Sequence, residues 1–323
     1  MAIDPALLEW MLDSDPALRW QVERDLVGGS SEVWQATRAR IATEGMGARL
    51  LALQDADGQW AGGAFFPKGF DFHGPEAAEG AGQPWTATSW SLVTLREWGL
   101  DPAALAGTAE LLERNSRWEY DDLPYWEGEV DCCINAATLS NGLWLGADVT
   151  GIAEWFLEHR LADGGWNCEW VDGSVRSSFH STLNSIRGLL DYERATGGGA
   201  VYRDARNSGE EYLLERRLLY SLGSGDVVGE WATRFSYPFR AWYTVLRAVD
   251  HFRAASILDG TRPDPRLVDA VDIIRERRRP DGTWMQELRL PGRVWFDIDV
   301  PPGQPSKWVT FFAARALEWW DAA

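Results

Sequence analysis

At 323 residues the chain exceeds a minimal domain and can bury a substantial core, so its length demands neither disulfides nor a partner for stability. Its 31 Lys+Arg against 49 Asp+Glu leave a net charge of −18, with the basic residues scattered, which argues against nucleic acid as a partner. No apolar run reaches the roughly eighteen residues of a transmembrane helix.

The first residues carry no basic stretch followed by an apolar one, so no secretory signal is expected. Cys132, Cys133 and Cys168 are too few for an extracellular disulfide framework, and the adjacent pair is poorly placed to bridge to itself. Together these features predict a reducing, cytoplasmic setting. Twenty tryptophans imply many repeated packing positions or a large aromatic-lined cavity, because each buried indole needs volume and an N–H partner.

Taken in order, residues 16–27 read as a first helix. Segments with apolar residues at helical spacing follow at 85–98, 131–145, 180–193, 238–252 and 307–320. More charged helices alternate with them at 32–53, 102–115, 151–160, 210–219 and 264–279. The pairs recur about every fifty residues, strand signals are nearly absent, and such hairpins stack into a solenoid or close into a ring. No linker divides the chain, so one domain spanning 1–323 is expected, with repeats from about 16 to 320. Two longer loops interrupt the pattern: 61–84, rich in Gly, Pro and Phe, and 288–305, which contains Asp297 and Asp299.

Three segments align with one another. Each ends a helix and then reads Asp-Gly-x-Trp, at Asp57 to Trp60, Asp163 to Trp166 and Asp281 to Trp284. Glycine accepts the left-handed conformation that stops a helix, aspartate satisfies nearby backbone groups, and tryptophan folds back over the helix end.

Asp131, Cys133 and His180 are three potential metal ligands about one repeat apart. A carboxylate, a thiolate and an imidazole suit zinc, and three protein ligands leave a fourth position open. The same residues also read as an N-cap aspartate, small core cysteines at 132 and 133, and a satisfied core histidine. Cys168 is a fourth ligand or a buried thiol. Glu129 and Glu169 are candidate general bases for a metal-bound nucleophile, or solvated charges. Trp85, Phe179, Tyr237, Trp242 and Trp308 fall near the starts of the apolar helices and could line a substrate cavity, or pack the core. Arg176, Arg234, Arg240 and Lys307 are the cations best placed for an anionic group.

The Gln54-x-x-Asp57-Gly58-x-Trp60 element and its two looser copies resemble the repeats of the prenyltransferase and squalene-cyclase superfamily. The resemblance covers the chain from about Pro16 to Trp320 and implies an all-α fold, an α/α toroid of about six helical hairpins in inner and outer rings. Val130-Asp131-Cys132-Cys133-Ile134 resembles the Asp-x-Cys zinc motif of protein prenyltransferase β subunits, and the stretch from Ser178 to Leu189 resembles the one carrying their zinc-binding histidine. By that likeness Asp131, Cys133 and His180 hold zinc, which activates a thiol, hydroxyl or water toward a hydrophobic, isoprenoid-type substrate. The chain departs from the family between Asp121 and Glu129, an acidic stretch where the prenyltransferases carry cations for a diphosphate. Two other outcomes are consistent with the resemblance. One is a metal-independent cyclase using Asp297 or Asp299 as its acid. The other is a non-catalytic toroid holding a lipid or peptide, with a structural zinc that Cys168 completes.

Overall fold

The computed structural model describes residues 3–322, and among these the protein is all-α, with one pair of two-residue strands. The helices are α1 Pro5–Leu12, α2 Pro16–Asp25, α3 Ser31–Ala39, α4 Gly45–Leu51, α5 Thr88–Trp98, α6 Thr108–Asn115 and α7 Cys132–Leu145. They continue with α8 Thr150–Glu158, α9 Phe179–Thr196, α10 Ala200–Glu215, α11 Val245–Asp259, α12 Val268–Glu276 and α13 Lys307–Asp321. The strands, β1 Trp284–Met285 and β2 Pro305–Ser306, pair antiparallel.

The apolar helices become neighbours in chain order. α5 packs on α7, α7 on α9, α9 on α11 and α11 on α13, while α13 also touches α1 and α2. The more charged helices lie against them: α8 and α10 on α9, and α12 on α11 and α13. One continuous apolar core runs from Leu7 to Leu317, joining side chains from both sets.

Two helix boundaries differ from the spacing-based expectation for physical reasons. The predicted helix 32–53 is two helices, because Gly45 takes φ +61° and a Cβ there would lie 2.0 Å from the Asp15 carboxylate. That carboxylate accepts hydrogen bonds from Ala17 N–H at 2.9 Å and Met46 N–H at 2.8 Å, so one aspartate caps both α2 and α4. The predicted helix 238–252 instead begins at Val245, where the Thr244 hydroxyl caps it, and the residues before it form a loop in which Arg240 has φ +52°. α1 was absent from the sequence reading, although its Asp4-Pro5 start repeats the Asp15-Pro16 start of α2.

The three Asp-Gly-x-Trp segments are the most regular feature of the fold. Gly58, Gly164 and Gly282 all take positive φ. Trp60, Trp166 and Trp284 are fully buried, and each indole N–H donates to a carbonyl in the preceding helix: Leu50 at 2.9 Å, Phe156 at 3.0 Å and Ile274 at 2.7 Å. The backbone N–H of each tryptophan donates to a threonine hydroxyl on the next apolar helix, Thr88, Thr182 and Thr310, at 3.0 to 3.1 Å. Every corner therefore stops one helix and fixes where the next one starts.

Candidate metal centre

Two segments converge at the start of α7. Asp131 occupies its N-cap with φ −82° and ψ 117°, but its carboxylate bonds no helix N–H, so Cys132 and Cys133 form the first turn without side-chain capping. Cys168 opens a 3-10 turn, Cys168–Asp172, just past the second Trp corner, and the Ser181 hydroxyl of α9 accepts its backbone N–H at 3.2 Å. The result is a cluster of sulfur. Cys168 Sγ lies 3.4 Å from Cys132 Sγ and 3.3 Å from Cys133 Sγ, and all three sulfurs fall within 4.8 Å of one another. Tetrahedral zinc with Zn–S bonds of about 2.3 Å spaces its sulfurs about 3.8 Å apart, so the trio could hold a metal ion with little movement.

The surroundings polarise the cluster. Cys133 accepts from the Cys132 and Cys168 thiols and from Asn184 Nδ2 at 3.4 Å, and these bonds pull its thiol well below the ordinary range. Burial pushes Cys132 up. Cys168 is lowered by its contact with Cys132 but raised further by Cys133 and by burial, to about 11. Burial, reinforced by neighbouring Cys168, lifts the Asp131 carboxyl to about 7, and burial also lifts Glu129 to about 7 against the hydrogen bond from the Asp131 N–H.

Asp131 and His180 stand outside the compact sulfur trio. The Asp131 carboxyl interacts with Cys168, and its backbone N–H donates to Glu129 Oε2 at 2.6 Å. The His180 ring packs 4.6 Å from Trp231 and 5.1 Å from Trp242. Its Nε2 is buried with no hydrogen-bond partner among the described residues. Burial, and then the charge of Arg247, push it down to about 4 and keep it neutral. A satisfied core histidine would have a partner for Nε2, and a capping aspartate would bond its helix; neither condition is met here.

The other expected residues scatter. Glu169 is exposed on the Cys168 turn. Asp297 is exposed and paired with Arg289 at 3.0 Å. Asp299 is half-buried, accepts from the Ser306 hydroxyl and the Val300 N–H, and is raised by burial to about 6. Both line a second cavity together with Trp85 and Tyr237. Tyr237 stacks on Trp308 at 4.2 Å, Phe179 packs against Tyr243, and Trp242 is 41% exposed beside His180. The five expected aromatics thus share no single cavity.

Another cavity, about 620 Å³ and open to solvent, lies among α5, α7, α9, α11 and the loops before α5 and α11. Cys133 is part of its wall, and so are Phe65, Trp90, Asn184, Arg240 and Arg247. Sequence reasoning took Cys132 for core and passed over Arg247. A signal was available for the second: Arg247 is the lone charge among Val245, Leu246, Ala248 and Val249.

No family profile matches the chain, and no curated protein matches it. Among solved structures, the crystal structure of a protein from Actinoplanes superimposes with a TM-score of 0.45 at 16% identity, over 95% of this chain and 90% of that one. A likeness of that degree assigns neither fold nor function.

Proposed function

We propose that this chain is a zinc-dependent, prenyltransferase/cyclase-like enzyme built as an α/α toroid, acting on a hydrophobic substrate of isoprenoid type, with Cys132, Cys133 and Cys168 holding the metal. The observation that carries the reading is the convergence of three sulfurs from two segments beside a cavity that one of them lines. Thiolate-rich donor sets favour zinc among the common ions. The chain-order packing of α5, α7, α9, α11 and α13, the return of α13 to α2, and the three Trp corners support the toroid reading.

A bound zinc ion supplies a Lewis acid that lowers the pKa of a thiol, hydroxyl or water within reach. The protein's own groups do the rest. Cys133 faces the cavity, so a substrate entering there meets the ligand wall, and Asn184 fixes the orientation of that sulfur. Asp131 or His180 completes the donor set. Glu129, titrating near neutrality, is the proton acceptor.

Metal analysis of untagged protein tests the assignment. About one zinc per chain is expected, lost in Cys133→Ser and in Cys168→Ser; wild type purified without chelators and free of metal would overturn it. His180→Ala assigns the histidine: loss of a ligand should abolish stoichiometric zinc, whereas loss of an outer-shell partner should weaken affinity only about 10–100-fold. A second reading, a metal-independent cyclase, is favoured by Asp299, a half-buried carboxyl raised by burial in its own cavity, whereas Asp297 is exposed and paired. Under that reading Asp299→Asn abolishes activity and metal removal does not.

A further inference from the structure

The cavity beside Cys133 is cationic in a chain that is strongly anionic. Four arginines line it, Arg96, Arg187, Arg240 and Arg247, against two carboxylates, Glu97 and Asp191. Arg96 is taken by Asp191 at 3.0 Å, and Arg187 leans on Asp250 at 4.0 Å. Arg240 and Arg247 are different. They are 6% and 5% exposed, and neither has a carboxylate within ion-pair distance among the described residues. Arg240 donates to Thr94 Oγ1 at 3.2 Å. Arg247 donates to the Trp242 carbonyl at 3.2 Å and to Asn184 Oδ1 at 2.7 Å, while its Nε has no partner. Trp90, also in the wall, buries an indole N–H without a partner. Desolvation lowers Arg240 to about 10, and desolvation together with the like charge of Arg187 lowers Arg247 to about 9, outweighing the pull of Glu97, which forms an ion pair with neither among the described residues.

Buried, unpaired cations and an orphaned N–H around one opening cost stability unless something anionic enters. The rest of the wall mixes apolar side chains, Phe65, Ile134 and Ala137 among them, with Ser89, Ser140 and Asn184. We propose that this cavity binds an amphipathic anion, its carboxylate or phosphate oxygens held by Arg240, Arg247 and the Trp90 indole N–H, and its apolar body lying along α7 toward Cys133. This names the substrate class of the site proposed above and rests on that reading for its role, while the binding itself needs no metal. Asn184, bonded to both Arg247 and Cys133, ties the anion subsite to the sulfur cluster.

The test is calorimetric titration of octanoate, octyl phosphate and neutral octanol into zinc-loaded and chelator-treated protein, with zinc content measured on each sample. One octanoate or octyl phosphate per chain is expected, at least about tenfold tighter than octanol. The anion that binds more tightly identifies the head group. Arg240→Gln and Arg247→Gln should each weaken binding about tenfold or more at unchanged zinc content. Ala137→Phe, which fills the apolar wall and removes no charge, should weaken both anions and guards against a fold defect in the arginine variants. Octanol binding as tightly as the anions, or anion binding unchanged in folded Arg240→Gln and Arg247→Gln protein, would overturn the proposal. Loss of zinc with anion binding intact would instead count against the metal reading alone.

Discussion

Two buried arginines divide the molecule into a part built for stability and a part built for something else. Arg206, on α10, is fully buried and meets Glu193 at 2.6 Å, Glu210 at 2.8 Å and Asp259 at 2.9 Å, and Glu210 also receives His251 at 2.8 Å. Arg247, one helix away on α11, is also buried and has only two neutral acceptors. The carboxylates divide the same way. Asp250 is held by Arg315 at 2.5 Å and stays far below the ordinary range despite its burial, whereas Asp299 has no ion pair among the described residues and rises to about 6. The Trp corners belong with Arg206, since each donates both its N–H groups. Arg247 Nε, Trp90 Nε1 and His180 Nε2 are orphaned around the cavity and the sulfur cluster, but orphaned atoms also occur in the ion networks, at His251 Nδ1 and Arg315 Nε. The distinction lies in charge pairing: the buried Arg206 and Arg315 each meet carboxylates, whereas the buried Arg240 and Arg247 form no ion pair among the described residues.

The comparison breaks most visibly at Arg206. Arg206→Met leaves Glu193, whose side chain is only 2% exposed, with Arg203 as its remaining cation and beside Glu210 and Asp259. Loss of one partner from a buried ion network costs about 3–5 kcal/mol, and urea unfolding should show a shift of that size. A loss below about 1 kcal/mol would mean the network adds little and the division is false.

Asp299 sharpens it next, through pH. Its folded pKa of about 6 lies above the ordinary 3.8, so the protonated acid is the form the fold prefers. Its contribution to stability is complete below about pH 4 and is lost as pH rises through about 6. Asp299→Asn cannot ionise, so its stability relative to wild type should improve by about 2–3 kcal/mol between pH 4 and pH 8. Parallel pH profiles for the two proteins would show that the carboxylate is solvated and the second cavity an ordinary surface cleft.

How much of this was legible in the sequence follows the same division. The Asp-Gly-x-Trp corners could be read because their chemistry is local: a glycine with positive φ, an aspartate at its own turn and a tryptophan reaching back ten residues. The helices that begin from those corners, such as α9 and α13, fell close to the expected spans. The break at Gly45 was not legible, because it depends on Asp15, thirty residues earlier in the chain. The sulfur cluster was half legible. Asp131, Cys133 and His180 were read as ligands by motif and Cys168 as an alternative fourth, but grouping Cys132 with Cys133 and Cys168 required knowing that the Cys168 turn folds onto the first turn of α7. The cationic cavity was hardest, because unpaired arginines look like paired ones until every neighbour is placed.

The smallest effect is the most discriminating one. Removing an arginine normally destabilises a protein through lost pairing and lost packing, and Arg206 should follow that rule. Arg247→Met gives up hydrogen bonds to Asn184 and to the Trp242 carbonyl, but it also removes a guanidinium that was desolvated without a counter-charge and keeps a side chain of similar length. The two contributions oppose each other, so the net change in unfolding free energy should fall within about 1 kcal/mol of zero. Equal, large destabilisation by Arg206→Met and Arg247→Met would mean that Arg247 serves the fold as Arg206 does, and the cavity would lose its claim to a cation held in reserve for a ligand.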